Sequence, residues 1–427
     1  MIKYIDYNRK KNINEISKIT SNRLLTNYKA TKSVKKIISN VKKNGDKAIL
    51  KYEKKFSNNN KIKTNKLKIK KSIKSLDLKI KKAIDLSYKR IKKFHLKQKI
   101  KDIYYKDSKK NIFRYKNLPI DSVGIYIPGG NASFPSTVLM NAIPARIAGV
   151  KRIVMVNPAK NGKQSPGVLY AAKKCGIKEI YSIGGAQSIS ALTYGTKSIN
   201  KVDKIVGPGN IYVTSAKKEV FGEVGIDMLA GPSEITIVAD ENGNANWIAS
   251  DLIAQAEHDI NSQSILISKS NKLILKVNRE IKKQIVDLPR KKIAKKSLSS
   301  NGIFIKVKSD KQIIELVNLL GPEHLSLNIK NYKKIIGKIK NAGSICLGNY
   351  SAMAITDYNA GSNHILPTNS SAKFSSGLSV YDFYKRISLI HLTKKGIESI
   401  GEQAINLANY EGLVGHARSV ETRIRRR

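Results

Sequence analysis

The chain has 427 residues, 80 Lys+Arg against 31 Asp+Glu, a formal net charge of +49 and a hydrophobic fraction of 41%. At roughly 100–200 residues per domain the length implies several units, and the apolar content argues against a disordered polycation. No run approaches the ~20 apolar residues of a bilayer span, MIKYIDYNRK lacks the apolar stretch of a secretory signal, and Cys175 and Cys346 cannot build a disulfide framework. The class expected is a soluble, cytoplasmic, multi-domain protein with no membrane partner.

The first 110 residues read as lysine-studded helices. Val34, Ile37, Ile38, Val41, Ile49 and Leu50 fall near helical spacing over 33–52, and Leu78, Ile80, Ile84, Leu86 and Ile91 do so over 77–94. Ser57-Asn-Asn-Asn60 marks a loop between them. From residue 121 strands and helices alternate. Strands are predicted at 123–127, 152–156, 179–183 and 235–238, and helices at 136–148, 167–175, 188–194 and 212–220. Short apolar strands joined by helices imply a parallel sheet covered on both faces, an α/β fold. The pattern resumes with a helix over 247–257 and strands over 264–267 and 302–307, while 288–300 reads as a basic, exposed connection. Beyond Pro367 the regularity weakens to one helix over 396–410 and a basic tail ending Arg425-Arg-Arg427.

The charge is unevenly placed. Residues 1–120 hold 38 Lys+Arg and 8 Asp+Glu, whereas residues 121–265 hold 13 and 12. Only 14 of the basic residues are Arg, although nucleic-acid readers favour its bidentate fork. The lysines therefore read as solvated surface, with no specific nucleic-acid partner and only weak attraction to acidic polymers.

Three glycine-rich turns, Ile127-Pro-Gly-Gly130, Ile183-Gly-Gly-Ala-Gln187 and Val206-Gly-Pro-Gly-Asn210, sit where strands give way to helices. Each alone is a tight turn; three in one βα series point to a nucleotide or cofactor cleft, without a GxGxxG or Walker fingerprint. Gln255 and His258, three residues apart at a predicted helix end, suit a metal site, although the residues alone favour a histidine meeting a helix dipole. Glu323 beside His324 offers an acid–base pair. The loop from Thr356 to His364 is dense in polar groups, as functional loops are, and Glu411-Gly-Leu-Val-Gly-His416 adds another acid and imidazole. HExxH, GxSxG and CxxC are absent. Chemistry alone gives an α/β enzyme with a cofactor cleft and a metal site. A zinc hydrolase with Glu323 as base and no dinucleotide, or a binding protein driven by charge, stand as the other readings.

Eight segments in order resemble the histidinol dehydrogenase family: VGIYIPGGNASFPSTVLMNAIPARIAGV (123–150), SIGGAQSISALTYGT (182–196), KVDKIVGPGNIYVTSAKKEVFG (201–222), DMLAGPSEITIVAD (227–240), ASDLIAQAEHD (249–259), GPEHLSL (321–327), TDYNAGSNHILPT (356–368) and EGLVGHA (411–417). The resemblance implies NAD-dependent, zinc-requiring oxidation of L-histidinol through L-histidinal to L-histidine. It implies Gln255, His258, Asp357 and His416 as zinc ligands, with His416 and Glu411 supplied by the other subunit of a homodimer. Glu323 and His324 take the acid–base positions. Ser233, His364 and Glu411, with His324 and the metal ligands, match substrate contacts, and Tyr126, Gln187 and Asn210 match NAD contacts. The implied architecture is two incomplete Rossmann-like domains in an aldehyde-dehydrogenase-like arrangement. One comprises 22–125 and 235–379, the other, inserted and NAD-binding, 126–234; 1–21 and 380–427 form a helical dimerisation region.

Overall fold

Runs such as EITIVA (Glu234–Ala239) and QSILIS (Gln263–Ser268) are buried at every position, the pattern of strands covered on both faces. The computed structural model describes residues 2–23, 28–129 and 133–425. Gly130, expected in the first glycine-rich turn, and Arg426 and Arg427 of the basic tail lie outside the described residues. The strands in chain order are β1 (Lys3–Asp6), β2 (Ile103–Lys106), β3 (Ile112–Pro119), β4 (Ser122–Tyr126) and β5 (Arg152–Val156). They continue as β6 (Glu179–Tyr181), β7 (Lys204–Val206), β8 (Gly225–Ile226), β9 (Glu234–Ala239) and β10 (Gln263–Ser268). The last are β11 (Ile303–Lys306), β12 (His324–Asn328), β13 (Ser344–Leu347) and β14 (Tyr384–His391).

Two compact units result, Met1–Gln98 with Asp121–Asp382 and Lys99–Ile120 with Phe383–Arg427. The first holds two parallel sheets, a five-stranded one ordered β6-β5-β4-β7-β8 and a six-stranded one ordered β1-β11-β10-β9-β12-β13. In each the earliest central strand (β4 or β9) has its next two partners on one side and the following two on the other. The chain order thus reverses between β4 and β7, and again between β9 and β12, which is where doubly wound sheets open crevices. The second unit has an antiparallel sheet ordered β14-β3-β2 and the helices Lys394–Tyr410 and Val414–Ile424. Among the described residues no helix is long and apolar enough to cross a membrane.

The α/β class is as expected, but the grouping of segments differs. Residues 1–21, expected with the C-terminal helices, begin with β1, which extends the six-stranded sheet by pairing with β11. The helices Tyr28–Ser57 and Leu78–His95, expected with 235–379, cover the five-stranded sheet instead. Val34, Val41 and Ile49 share one core with Ile189, Leu192, Val213 and Val220, so their apolar stripe is matched by the helices of that sheet. The C-terminal region is not wholly helical, since β14 pairs with β3 along eight residues. The basic stretch 288–300 is largely the helix Lys291–Asn301, whose Ala294, Ser297 and Leu298 are buried at three- and four-residue intervals beneath the lysines that suggested a loop.

One buried ion pair organises the turn after β7. Lys217 and Asp227 side chains are 2% and 1% exposed and bonded to each other. Lys217 Nζ donates to Gly207 O (3.1 Å), and Gly207 N donates to Asp227 Oδ2 (2.7 Å). Gly207 itself has φ 113°, and a Cβ there would stand 2.3 Å from Tyr126 O. Lys217→Met is expected to cost about 3–5 kcal/mol in urea unfolding, because it strands a buried carboxylate. Lys217→Met with Asp227→Leu is expected to recover most of that loss; recovery of none would show that the backbone contacts, not the stranded charge, carry the effect.

Candidate active site

At the C-terminal edge of the five-stranded sheet, the chain reversal between β4 and β7 brings the expected nucleotide residues together. Tyr126 is the last residue of β4, and Gly207 packs against its carbonyl at the end of β7. Asn210 is exposed and caps the helix Ile211–Val220, its Oδ1 accepting from Tyr212 N and Val213 N. Gln187 opens another helix, Gly185–Tyr194, and is only 2% exposed. Its amide does not face outward: Nε2 donates to Glu53 Oε1 at 2.8 Å. Gly184 N donates to the same oxygen at 2.9 Å, and Gly185 N donates to the Tyr126 hydroxyl at 3.2 Å. Tyr126 and Gln187 thus hold the glycine-rich turn from beneath. Burial pushes the Tyr126 hydroxyl up to about 12 and raises the Glu53 carboxyl. Glu53, fully buried on the helix Tyr28–Ser57, carried no signal in the sequence beyond being an acid in a lysine-rich helix.

The other expected residues gather at the opposite kind of edge, the N-terminal edge of the six-stranded sheet. Ser233 directly precedes β9, and its carbonyl accepts from Gln263 N, the first residue of β10. The helix Asp310–Leu320 ends on Gly321 in the left-handed region (φ 52°), and Pro322 follows. That stop delivers Glu323 and His324 to the start of β12. The helix Ala245–Ala256, capped by Asn244, places Gln255 inside (1% exposed). His258 lies just beyond that helix rather than on its face, with its N–H bonded to Gln255 O.

Asp357 rides the short helix Met353–Tyr358, whose end Arg90 holds through the carbonyls of Asn359 and Ala360. His364 folds back on it, Nδ1 donating to Asp357 O at 2.8 Å. That bond leaves Nε2 as an acceptor, 3.4 Å from Thr137 Oγ1 on the helix that follows β4. Asn363 Nδ2 donates to Met140 O on the same helix at 2.7 Å. The two sheet edges therefore meet at this loop.

Burial dominates the electrostatics of the cluster. His324, 4% exposed, has its Nε2 at 3.9 Å from Glu323 Oε1 and 4.0 Å from Asp357 Oδ1, while its Nδ1 is buried without a partner. Burial, with His364 and His258 nearby, pushes its pKa down to about 3, and burial brings His364 down to about 4. His258 presents an exposed edge, yet the protein crowded around it lowers its pKa as well. Asp357, with a side chain 19% exposed, is pushed up to about 7 by burial alone. Gln255 Oε1 is buried without a hydrogen-bond partner.

Glu411 and His416 belong to the second unit. Glu411 caps the helix Lys394–Tyr410, His416 lies in the first turn of Val414–Ile424, and both are exposed. Among the described residues no group of three or more His, Cys, Asp or Glu side chains could hold a metal ion. The expected ligand set counts an amide, Gln255, and a residue of the second unit, His416, among its four.

Comparison with known proteins gives the family. A family model described as histidinol dehydrogenase matches residues 21–424. The chain is 62% identical over 428 residues to histidinol dehydrogenase of Pelagibacter ubique, covering 100% of both chains. It is 46% identical to that of Caldanaerobacter subterraneus, covering 99% of both. The crystal structure of histidinol dehydrogenase from Elizabethkingia anophelis superimposes with a TM-score of 0.89 at 39% identity, covering 92% of each chain.

The protonation of Asp357 is testable. A carboxyl raised to about 7 when folded, from 3.8, favours the folded chain fully below about pH 4 and loses that contribution as pH rises towards 7, by about 1.4 kcal/mol per unit. The depressed histidines act in the opposite sense, stabilising above about pH 6.5 and losing that contribution as pH falls. In chelator-treated protein, Asp357→Asn is expected to gain stability over the parent progressively from about pH 4 to about pH 7 in urea titrations. Parallel curves would mean that Asp357 is ionised throughout.

Proposed function

Because the chain belongs to the histidinol dehydrogenase family, we propose that it oxidises L-histidinol through L-histidinal to L-histidine, with two NAD as successive hydride acceptors and a zinc ion in the site. The observation that carries this reading is the meeting of the two edges at Thr137 and His364. It sets an acid–base pair and a group of cation-binding donors beside a crevice of the type that takes nucleotides.

The residues suit their roles. His324 is a neutral imidazole at neutral pH and takes the hydroxyl proton of the carbinol as hydride departs. Glu323, also buried and 3.9 Å from His324, holds and deprotonates the water that hydrates the aldehyde, and a second hydride transfer yields the carboxylate. Ser233, His364 and, across a homodimer, Glu411 orient the substrate. Tyr126, Gln187 and Asn210 form the NAD-binding turns of the inserted region.

The donors fit a divalent cation. The unpartnered Gln255 oxygen needs a donor or a cation, His258 is held towards its neutral ligand form, and Asp357 would recover its charge beside a cation. Gln255, His258 and Asp357 would hold zinc together with His416 of a second copy. Bound there, zinc supplies a positive anchor for the substrate's imidazole and amine. Exposure of Leu407, Tyr410, Leu413 and Val414 around Glu411 and His416 supports a homodimeric role for that segment. Both cysteines are buried and unbridged, as suits the reducing cytoplasm, where we place the enzyme.

Two NADH are expected per L-histidinol consumed, with activity lost on chelation and restored by zinc; no NADH from folded, zinc-loaded protein would sink the assignment. His416→Ala is expected to lose zinc and activity together, and full zinc retention would remove His416 from the ligand set. Mixing Glu323→Ala and His416→Ala chains, each expected to keep only a small measurable residue of activity, tests the sharing of sites. Random re-pairing is expected to restore about a quarter of parental activity, because one site of each mixed dimer is intact. No restoration would put His416 in the site of its own chain.

A further inference from the structure

Glu234 lies within DMLAGPSEITIVAD, a segment in which the resemblance implies a role for Ser233 alone, and it is an acid buried to 4% exposure at the first position of β9. Its neighbour across the sheet is the start of β12, where Ile235 stands opposite His324. Glu234 N donates to Glu323 Oε2 at 2.7 Å, and Glu323 N donates to Glu234 Oε2 at 3.4 Å. The other oxygen of Glu234 accepts from Asn369 N at 2.8 Å. Each glutamate's carboxylate thus meets the other's backbone N–H, and a third backbone donor fixes Glu234 from behind.

From this reciprocal clasp we infer that Glu234 is a positioning residue for Glu323 in the reaction proposed above, fixing which oxygen of Glu323 faces the substrate water. A glutamate side chain has three rotatable bonds, and ordering it for proton transfer is costly unless the surroundings do so beforehand. The clasp holds Oε2 against β9. It leaves Oε1 on the side of His324, at 3.9 Å from Nε2. Glu323 is also tied through its carbonyl, which accepts from Ser344 N at 2.9 Å, so its backbone cannot follow a displaced side chain. Two acceptor oxygens are needed at position 234, one for Asn369 N and one for Glu323 N. Glutamine matches the shape and supplies one.

The inference rests on the proposed reaction, and the two can fail separately. Glu234→Gln is compared with the parent enzyme, zinc-loaded, in two assays: the first NADH formed in a single turnover of L-histidinol, and steady-state oxidation of L-histidinal. The expected result is a fall of about tenfold or more in kcat for L-histidinal, with its KM and the first-turnover rate within about twofold of the parent. In a Glu323→Ala background the same change is expected to have no further effect, since Glu234 acts through Glu323. Parental kinetics in both assays, equal loss in both, or an additive effect on Glu323→Ala would each overturn the role of Glu234. An inactive parent would instead overturn the proposed reaction. Should Glu234→Gln not fold, Glu234→Asp keeps both oxygens but is one methylene too short to reach both donors. The same selective loss is expected of it, and parental kinetics would overturn the inference.

Discussion

Exclusion of water is the constraint on which the site depends. The protonation of Asp357, His324 and His364 is governed first by burial, and no lysine or arginine contributes to any of these three shifts. Only His258, at the rim, feels such a cation, Arg290. In a chain of net charge +49 this separation is informative. A lysine admitted to the cluster would ionise Asp357 and compete for the place proposed for a cation. Most of the basic residues lie where water screens them, and Lys217, the buried exception, is paired with Asp227.

That exclusion follows from the way the two sheets are used. Open parallel sheets offer ligands their C-terminal edges, and the five-stranded sheet does so, with Tyr126 and Asn210 flanking its reversal point. The six-stranded sheet has the same order of winding but presents its N-terminal edge, lined by Ser233, Glu234, Gln263 and Glu323. Opposing a C-terminal edge to an N-terminal one lets crossover helices and loops of both sheets roof a single site. Thr137 and His364 are where that roof is joined.

Sequence pattern reached much of this. Strands β4, β5, β9 and β10 announced themselves because both of their faces are largely buried and their centres are apolar, with polar residues mostly at their ends. Strands β2, β3 and β14 did not: they are exposed or half-exposed, with lysine, arginine and tyrosine among their residues. The helix Lys291–Asn301 was hidden by its lysines, since three buried small or apolar residues are too few to stand out. The resemblance supplied the residues proposed to touch ligand. It could not pick out Glu53, Glu234 or Arg90, whose partners are 131, 89 and 269 residues away. Their roles are set by three-dimensional closure, which periodicity does not encode.

The pairing of β1 with β11 has a kinetic meaning. Lys3 stands in register with Ile303, so β1 leaves a ribosome and waits for some three hundred further residues before its partner exists. Over that interval Tyr4 and Ile5 belong to an unpaired segment, at synthesis speeds of about 5–20 residues per second. The neighbouring Lys3, Asp6, Arg9, Lys10 and Lys11 then serve as gatekeepers, keeping the waiting strand from pairing with another nascent chain.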